Sequence, residues 1–265
     1  MIPNILSIAG SDPSGGAGIQ ADIKTISANG GYAMAAITGL TAQNTRGVQA
    51  VQLVDAAMVT AQIAAIREDI RIDAVKIGML GSAGIIGAVA DALAGLEAPI
   101  VLDPVMVAKG GDRLLEAAAV AALRERLLPR AALITPNLPE AADLLGVSEA
   151  QTEEEMQDHT AQLIALGARA VLLKGGHLLG TGSPDLLMTD QGGTWLRAAR
   201  IDSANTHGTG CTLSAAIATQ LGRGRDMEQS VAASKIYVTG AIAAASRLSV
   251  GHGHGPTHHF HEWQK

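Results

Sequence analysis

The chain has 265 residues, 48% of them hydrophobic, a formal charge of −6, and only one Phe, two Tyr and two Trp. That apolar share over this length can bury the core of one large α/β domain, while the acidic balance and the shortage of aromatic rings argue against a nucleic-acid partner. A single cysteine, Cys211, excludes an intrachain disulfide. The N-terminus lacks the basic and apolar regions of a secretory leader and no window nears 18 apolar residues, so a cytoplasmic protein with no membrane partner is expected.

In chain order, short apolar runs predict strands over 4–8, 33–40, 74–77, 100–102, 132–134 and 170–173. Amphipathic stretches between them predict helices near 17–29, 55–69, 82–95, 114–127 and 152–166. Residues 185–196 read as a hairpin turning at Gln191-Gly192-Gly193, and helices follow over 209–221 and 227–247. The rhythm implies a mostly parallel sheet with helices on both faces, in one domain spanning 1–265. Ligands of such sheets bind beyond the carboxyl ends of the strands, which is where the polar motifs fall.

After the first strand comes a glycine loop, AGSDPSGGAGIQAD. Its Gly16-x-Gly18-x-x-Ala21 spacing matches the dinucleotide fingerprint, which keeps an NAD-dependent oxidoreductase in view. That fingerprint also needs a carboxylate at the end of the second strand; here the strand ends Thr41-Ala42-Gln43-Asn44-Thr45. No Gly-Lys-Ser/Thr follows the loop, so it is not a Walker A motif either, and its polar residues suit contact with a substrate. Asp103 ends the run Ile100-Val101-Leu102. Asn137 and Glu140 follow the strand ending at Ile134, as a helix cap with its capping-box partner or as oxygen donors near a hydrated Mg²⁺. Lys174 ends a strand and leads into Gly175-Gly176-His177, placed to reach a nucleotide phosphate; Lys109 and Lys235 are weaker candidates of that type.

The segment Asn205-Thr206-His207-Gly208-Thr209-Gly210-Cys211-Thr212 opens a helix whose buried stripe is Leu213, Ile217 and Leu221. Glycines ahead of a helix leave outward amides, and with the helix dipole they form an anion site. A thiol in that first turn is expected to have a lowered pKa and to accept a proton; a buried, inert cysteine is the alternative.

Taken together, AGSDPSGGAGIQADIKT, TAQNT, DPVMVAKGGDRLL, TPNLPEA, LLKGGH and NTHGTGCTLSAAIA resemble the bacterial hydroxymethylpyrimidine/phosphomethylpyrimidine kinases of the ribokinase-like superfamily, over residues 4 to about 260. Cys211 stands where related sugar and nucleoside kinases carry an aspartate base, as in the pyrimidine-kinase branch and some pyridoxal kinases. The resemblance implies a homodimer using ATP and Mg²⁺ to phosphorylate a hydroxymethylpyrimidine and then its monophosphate. It implies that Gln43 bonds the pyrimidine, in a pocket lined by Gly10, Asp22, Met79 and Val105 or Val107. Asp103 and Glu140 would hold Mg²⁺. Lys174, Thr206 and His207, with Asn137 and Lys235 nearby, would bind ATP, and the amides of Gly208, Thr209 and Gly210 would stabilise the moving phosphoryl group while Cys211 takes the hydroxyl proton. A pyridoxal kinase of the same fold is the nearest alternative, and a silent ligand-binding regulator a further one. The histidines at 252, 254, 258, 259 and 261 form a tract that can bind metal; the resemblance reads them as the family's closing segment.

Overall fold

The computed structural model describes residues 1–106 and 117–263. Its elements run β1 (Asn4–Gly10), α1 (Gly18–Ala28), β2 (Tyr32–Asn44), β3 (Gly47–Leu53), α2 (Ala56–Asp69), β4 (Ala74–Ile77), α3 (Ala83–Ala92), β5 (Ile100–Leu102), α4 (Ala117–Arg126), β6 (Leu133–Ile134), α5 (Leu138–Leu145), α6 (Glu153–Ala165), β7 (Val171–Lys174), β8 (Asp185–Thr189), β9 (Gly192–Leu196), α7 (Thr209–Gly222) and α8 (Met227–Ala243). The nine strands form one sheet in the order β3-β2-β1-β4-β5-β6-β7-β8-β9. The six from β2 to β7 are parallel; β3 pairs antiparallel at one edge, and at the other β8 pairs antiparallel to β7 and β9 to β8.

Strand alternation sorts the side chains into two layers. Leu6, Ile8, Val75, Ile77, Ile100 and Leu102 pack under helices α2 to α6. Ile5, Ala74 and Val101 face the other way, against Ile26 of α1, Leu213 and Ile217 of α7, and Val231 and Val238 of α8. Chain order reverses between β1 and β4, and the loops leaving such a switch point diverge to opposite faces and open a crevice.

The predicted strands and helices are present, with four corrections. β3 was not expected: it is an edge strand whose residues 49–53 are exposed, so no apolar run marks it. α5 was expected only as a cap, yet eight residues follow that cap as a full helix, closed by Gly146 in the left-handed region (φ 74°). The hairpin turns at residues 190–191, ahead of the predicted position, because Gly192 already pairs with Thr189. Beyond α8, residues 245–247 form a separate 3₁₀ turn in place of continued helix. Among the described residues no helix is long and apolar enough to cross a membrane.

Candidate active site

One large cavity, about 1240 Å³, lies along the carboxyl ends of the strands, and its wall includes Gly10, Gln43, Met79, Asp103, Lys174 and Cys211. The same wall carries Val105, Asn137, Glu140, Lys235 and every residue from Thr206 to Gly210. Thus the sequence-predicted residues meet in one place, with two exceptions. Val107, like Lys109, lies outside the described residues. Asp22 is not in the wall: it is fully buried, where its carboxylate accepts Ser7 Oγ (2.6 Å) and Lys76 Nζ (2.9 Å).

At one end of the cavity, Asp103 sits just past β5 and Lys174 closes β7, which brings their side chains together. Lys174 Nζ donates to Asp103 Oδ1 (3.1 Å) and lies 3.8 Å from Glu140 Oε2. Thr135 Oγ1 donates to the same Asp103 oxygen. Burial alone would raise the Asp103 carboxyl; the ammonium groups of Lys174 and Lys76 hold it below the usual carboxylate range. Burial pushes Glu140 up to about 7, against the attraction of Lys174. Asn137 and Glu140 form a full capping box: Asn137 Oδ1 accepts Glu140 N–H and Glu140 Oε2 accepts Asn137 N–H, both at 2.8 Å. The cap therefore sets where the Glu140 carboxylate points.

The start of α7 lies over this cluster. Gly208 caps the helix with φ 77°, and a Cβ there would strike the carbonyl oxygen of Gly16, so only glycine lets the two loops interlock. A Cβ on Gly210 would come within 3.3 Å of Lys174 Nζ and 3.6 Å of Asp103 Oδ2. The first α7 bond runs from Thr212 N–H to Gly208 O, and Thr209 N–H turns back to Thr206 O (3.3 Å). Among the described residues, the amides of Gly210 and Cys211 have no acceptor. Of the predicted Gly208–Thr209–Gly210 donors, the Thr209 amide is thus occupied, while those of Gly208 and Gly210 have no backbone acceptor among the described residues.

Cys211 reverses an expectation. Burial pushes its thiol up to about 11; the Lys76 ammonium pulls it down, while Asp22 and Asp103 push it further up. The helix dipole and the Gly18 amide facing the sulfur do not outweigh the loss of water.

The glycine loop is tied to the opposite rim by Asp12, a residue the sequence reading passed over. Asp12 Oδ1 accepts Ser14 N–H and Oγ–H; Oδ2 accepts the amides of Gly16 (3.2 Å) and Ala17 (2.9 Å) and lies 2.8 Å from His207 Nε2. Burial would raise this carboxyl, but the bonds from His207 and Ser14 hold it low. An aspartate opening a Pro-Ser-Gly-Gly stretch, placed to accept the backbone N–H two residues on, is the Asx-turn signal that could have identified it. The His207 ring also lies 3.4 Å from Gln43 Nε2, so it sits between Asp12 and Gln43 in the cavity wall. Lys235 lines the cavity but is paired with Asp185 Oδ2 (2.6 Å) and Ser183 O (3.1 Å). Lys76, also in the wall, was missed; a lysine inside the apolar run Ala74-Val75-Lys76-Ile77 was the available signal.

Of the C-terminal histidines, His258 and His259 are buried. His259 Nε2 lies 3.2 Å from Thr212 Oγ1 and its carbonyl accepts Tyr237 O–H (2.6 Å). Residue 255 supplies the carbonyl that receives His207 N–H. The closing segment therefore packs beneath the cavity rim.

The family model described as phosphomethylpyrimidine kinase matches residues 12–258. The Escherichia coli K12 hydroxymethylpyrimidine/phosphomethylpyrimidine kinase is 53% identical over 261 residues, covering 98% of each chain. A Bacillus subtilis pyridoxal kinase solved with ADP superposes with a TM-score of 0.92 at 37% identity over the whole of both chains. A Clostridium difficile phosphomethylpyrimidine kinase superposes with a TM-score of 0.80 at 42% identity, over 91% of this chain and 99% of that one. The glycine loop is thus part of a kinase cavity and the oxidoreductase reading falls. On the match across residues 12–258 and the identity to these relatives, the chain belongs to the phosphomethylpyrimidine kinase family.

Proposed function

We propose that the protein transfers the γ-phosphoryl group of ATP to the hydroxymethyl group of 4-amino-5-hydroxymethyl-2-methylpyrimidine, and a second one to the resulting monophosphate, in thiamine synthesis. The observation that carries this reading is the meeting, on one cavity, of a lone sulfur, a glycine-rich helix start with open amides and the Asp103–Lys174–Glu140 cluster. Gln43, at the other rim, offers an amide to the pyrimidine nitrogens, with Gly10, Met79 and Val105 beside it.

The alcohol oxygen attacks the γ-phosphorus, the bond from that phosphorus to the β-bridging oxygen breaks, ADP leaves, and the hydroxyl proton passes to the Cys211 sulfur. The amides of Gly210 and Cys211 face the charge on the moving group, and Lys174 neutralises more of it. Because the free thiol titrates near 11, its thiolate fraction at pH 7 is on the order of 10⁻⁴. The first transfer should therefore speed up by about tenfold per pH unit above neutrality.

Asp103 and Glu140 are two carboxylates with no third His, Cys, Asp or Glu completing a cage among the described residues. That donor set fits Mg²⁺, which is held by one or two carboxylates, phosphate oxygens and water. When bound, Mg²⁺ would neutralise the β- and γ-phosphate oxygens. We place the enzyme in the cytoplasm and take it to be a homodimer: the β2–β3 edge leaves Leu40 exposed on one face of the sheet and Val51 and Leu53 on the other, apolar surface suited to a second copy.

Pyridoxal is the second candidate substrate, since its ring also carries a hydroxymethyl group and a Staphylococcus aureus pyridoxal kinase solved with pyridoxal and AMP-PCP superposes with a TM-score of 0.90. ADP release measured separately with hydroxymethylpyrimidine and with pyridoxal decides: faster turnover of the pyrimidine is expected, preference for pyridoxal would reassign the substrate, and turnover of neither would remove the kinase reading.

A further inference from the structure

Among the described residues Lys76 is the lysine with no exposed surface. Alternation along β4 turns it to the α1–α7 layer, level with Ser7 of β1. Its Nζ donates to Asp22 Oδ2 at 2.9 Å, the oxygen that also accepts Ser7 Oγ; Asp22 Oδ1 is buried with no partner among the described residues. No other acceptor for the ammonium occurs among those residues, and Lys76 shares the wall of the cavity with Cys211.

Helix α1 joins the two groups. Gly18, its first residue, presents its amide to the Cys211 sulfur. Asp22 lies four residues on, on the same face one turn deeper, and anchors Lys76. Burying an ion pair costs several kcal/mol per ion, so a paired charge here is no gain over apolar packing. Its placement answers to the cavity instead.

We propose that Lys76, anchored by Asp22, is the positioning cation for Cys211: its ammonium stabilises the thiolate that receives the substrate's hydroxyl proton and fixes the sulfur at the cavity floor. The proposal rests on the reading of Cys211 as proton acceptor. Lys76 itself neither gains nor loses a proton; the proton moves from the alcohol to sulfur as the O–P bond forms. The charged groups acting on the sulfur are Lys76 from β4, Asp22 from α1, Asp103 after β5 and Lys174 from β7. Of these, Lys76 pulls most strongly toward the thiolate, and the two aspartates oppose it.

With a single cysteine in the chain, the rate of iodoacetamide alkylation against pH reads this sulfur alone. Lys76→Met should raise the alkylation midpoint by about one pH unit or more, a fall of about tenfold or more in rate at fixed pH. Asp22→Asn should lower it, and Lys76→Arg should keep it near the native value. In a Cys211→Ala background, Lys76→Met should reduce phosphoryl transfer no further, whereas a purely structural role would add its full loss. Should Lys76→Met fail to fold by circular dichroism, the Asp22→Asn midpoint decides. An unmoved midpoint in a folded variant, or additive losses in the double variant, overturns the proposal. Failure of the underlying reading looks different: Cys211→Ala would keep full activity while the midpoints still shift.

Discussion

Two lysines in the wall of one cavity are paired with aspartates at nearly the same separation, 3.1 Å for Lys174–Asp103 and 2.9 Å for Lys76–Asp22. Lys174 is the last residue of its strand and 15% of its side chain is exposed; Lys76 is inside its strand and none is. A strand-end ammonium can leave its aspartate for an incoming phosphate. A mid-strand one cannot, so its charge acts at a fixed point. Position along the strand, not the identity of the pair, divides ligand binding from support of the sulfur.

That contrast can be broken by experiment. The largest effect should be on stability: Lys76→Met leaves the Asp22 charge alone in the interior and should cost about 3–5 kcal/mol in urea unfolding. Lys174→Met, with solvent at its side, should cost less than half of that. Activity should show a loss of similar size for the other lysine, since Lys174→Met should lower ADP release about 100- to 1000-fold in a protein that still folds. Next comes His259, buried with no ion-pair partner among the described residues. Burial, with help from Lys24 and His258, holds it down to about 4 in the folded chain. The unfolded chain then binds the extra proton, so stability should fall as pH drops from about 6.5 toward 4 and level off below, by on the order of 3 kcal/mol. Replacing His259 with Gln should flatten this part of the profile in melts taken across that range. Smallest is Asn137→Ala, which removes the α5 cap and should cost about 1 kcal/mol, with a rise in the Mg²⁺ needed for half-maximal rate as Glu140 loses its orientation.

The same two pairs mark where the sequence was readable. Lys174, Asp103 and Glu140 follow apolar runs directly, and strand ends face the crevice in this architecture, so chemistry and place could be inferred together. Lys76 and Asp22 owe their roles to partners 54 residues apart in sequence, a contact that periodicity does not encode. Asp22 was accordingly expected in the pocket wall and lies behind it. The thiol of Cys211 was read from its helix position, which lowers a pKa; burial, invisible in the chain, raises it. The contact of the His207 ring with Asp12 spans 195 residues and was equally illegible. Within the fold, the parallel strands announced themselves through continuous apolar runs, whereas the exposed edge strand β3 did not.

The central claim is that the Cys211 sulfur takes the alcohol's proton. Single-turnover rates of wild type and Cys211→Ala, measured with hydroxymethylpyrimidine and with its monophosphate, test it most directly. The monophosphate nucleophile is already largely ionised at neutral pH, so the account predicts a loss of about 10²- to 10⁴-fold for the first transfer and a much smaller one for the second. Equal losses in both transfers, or an undiminished first transfer, would contradict it.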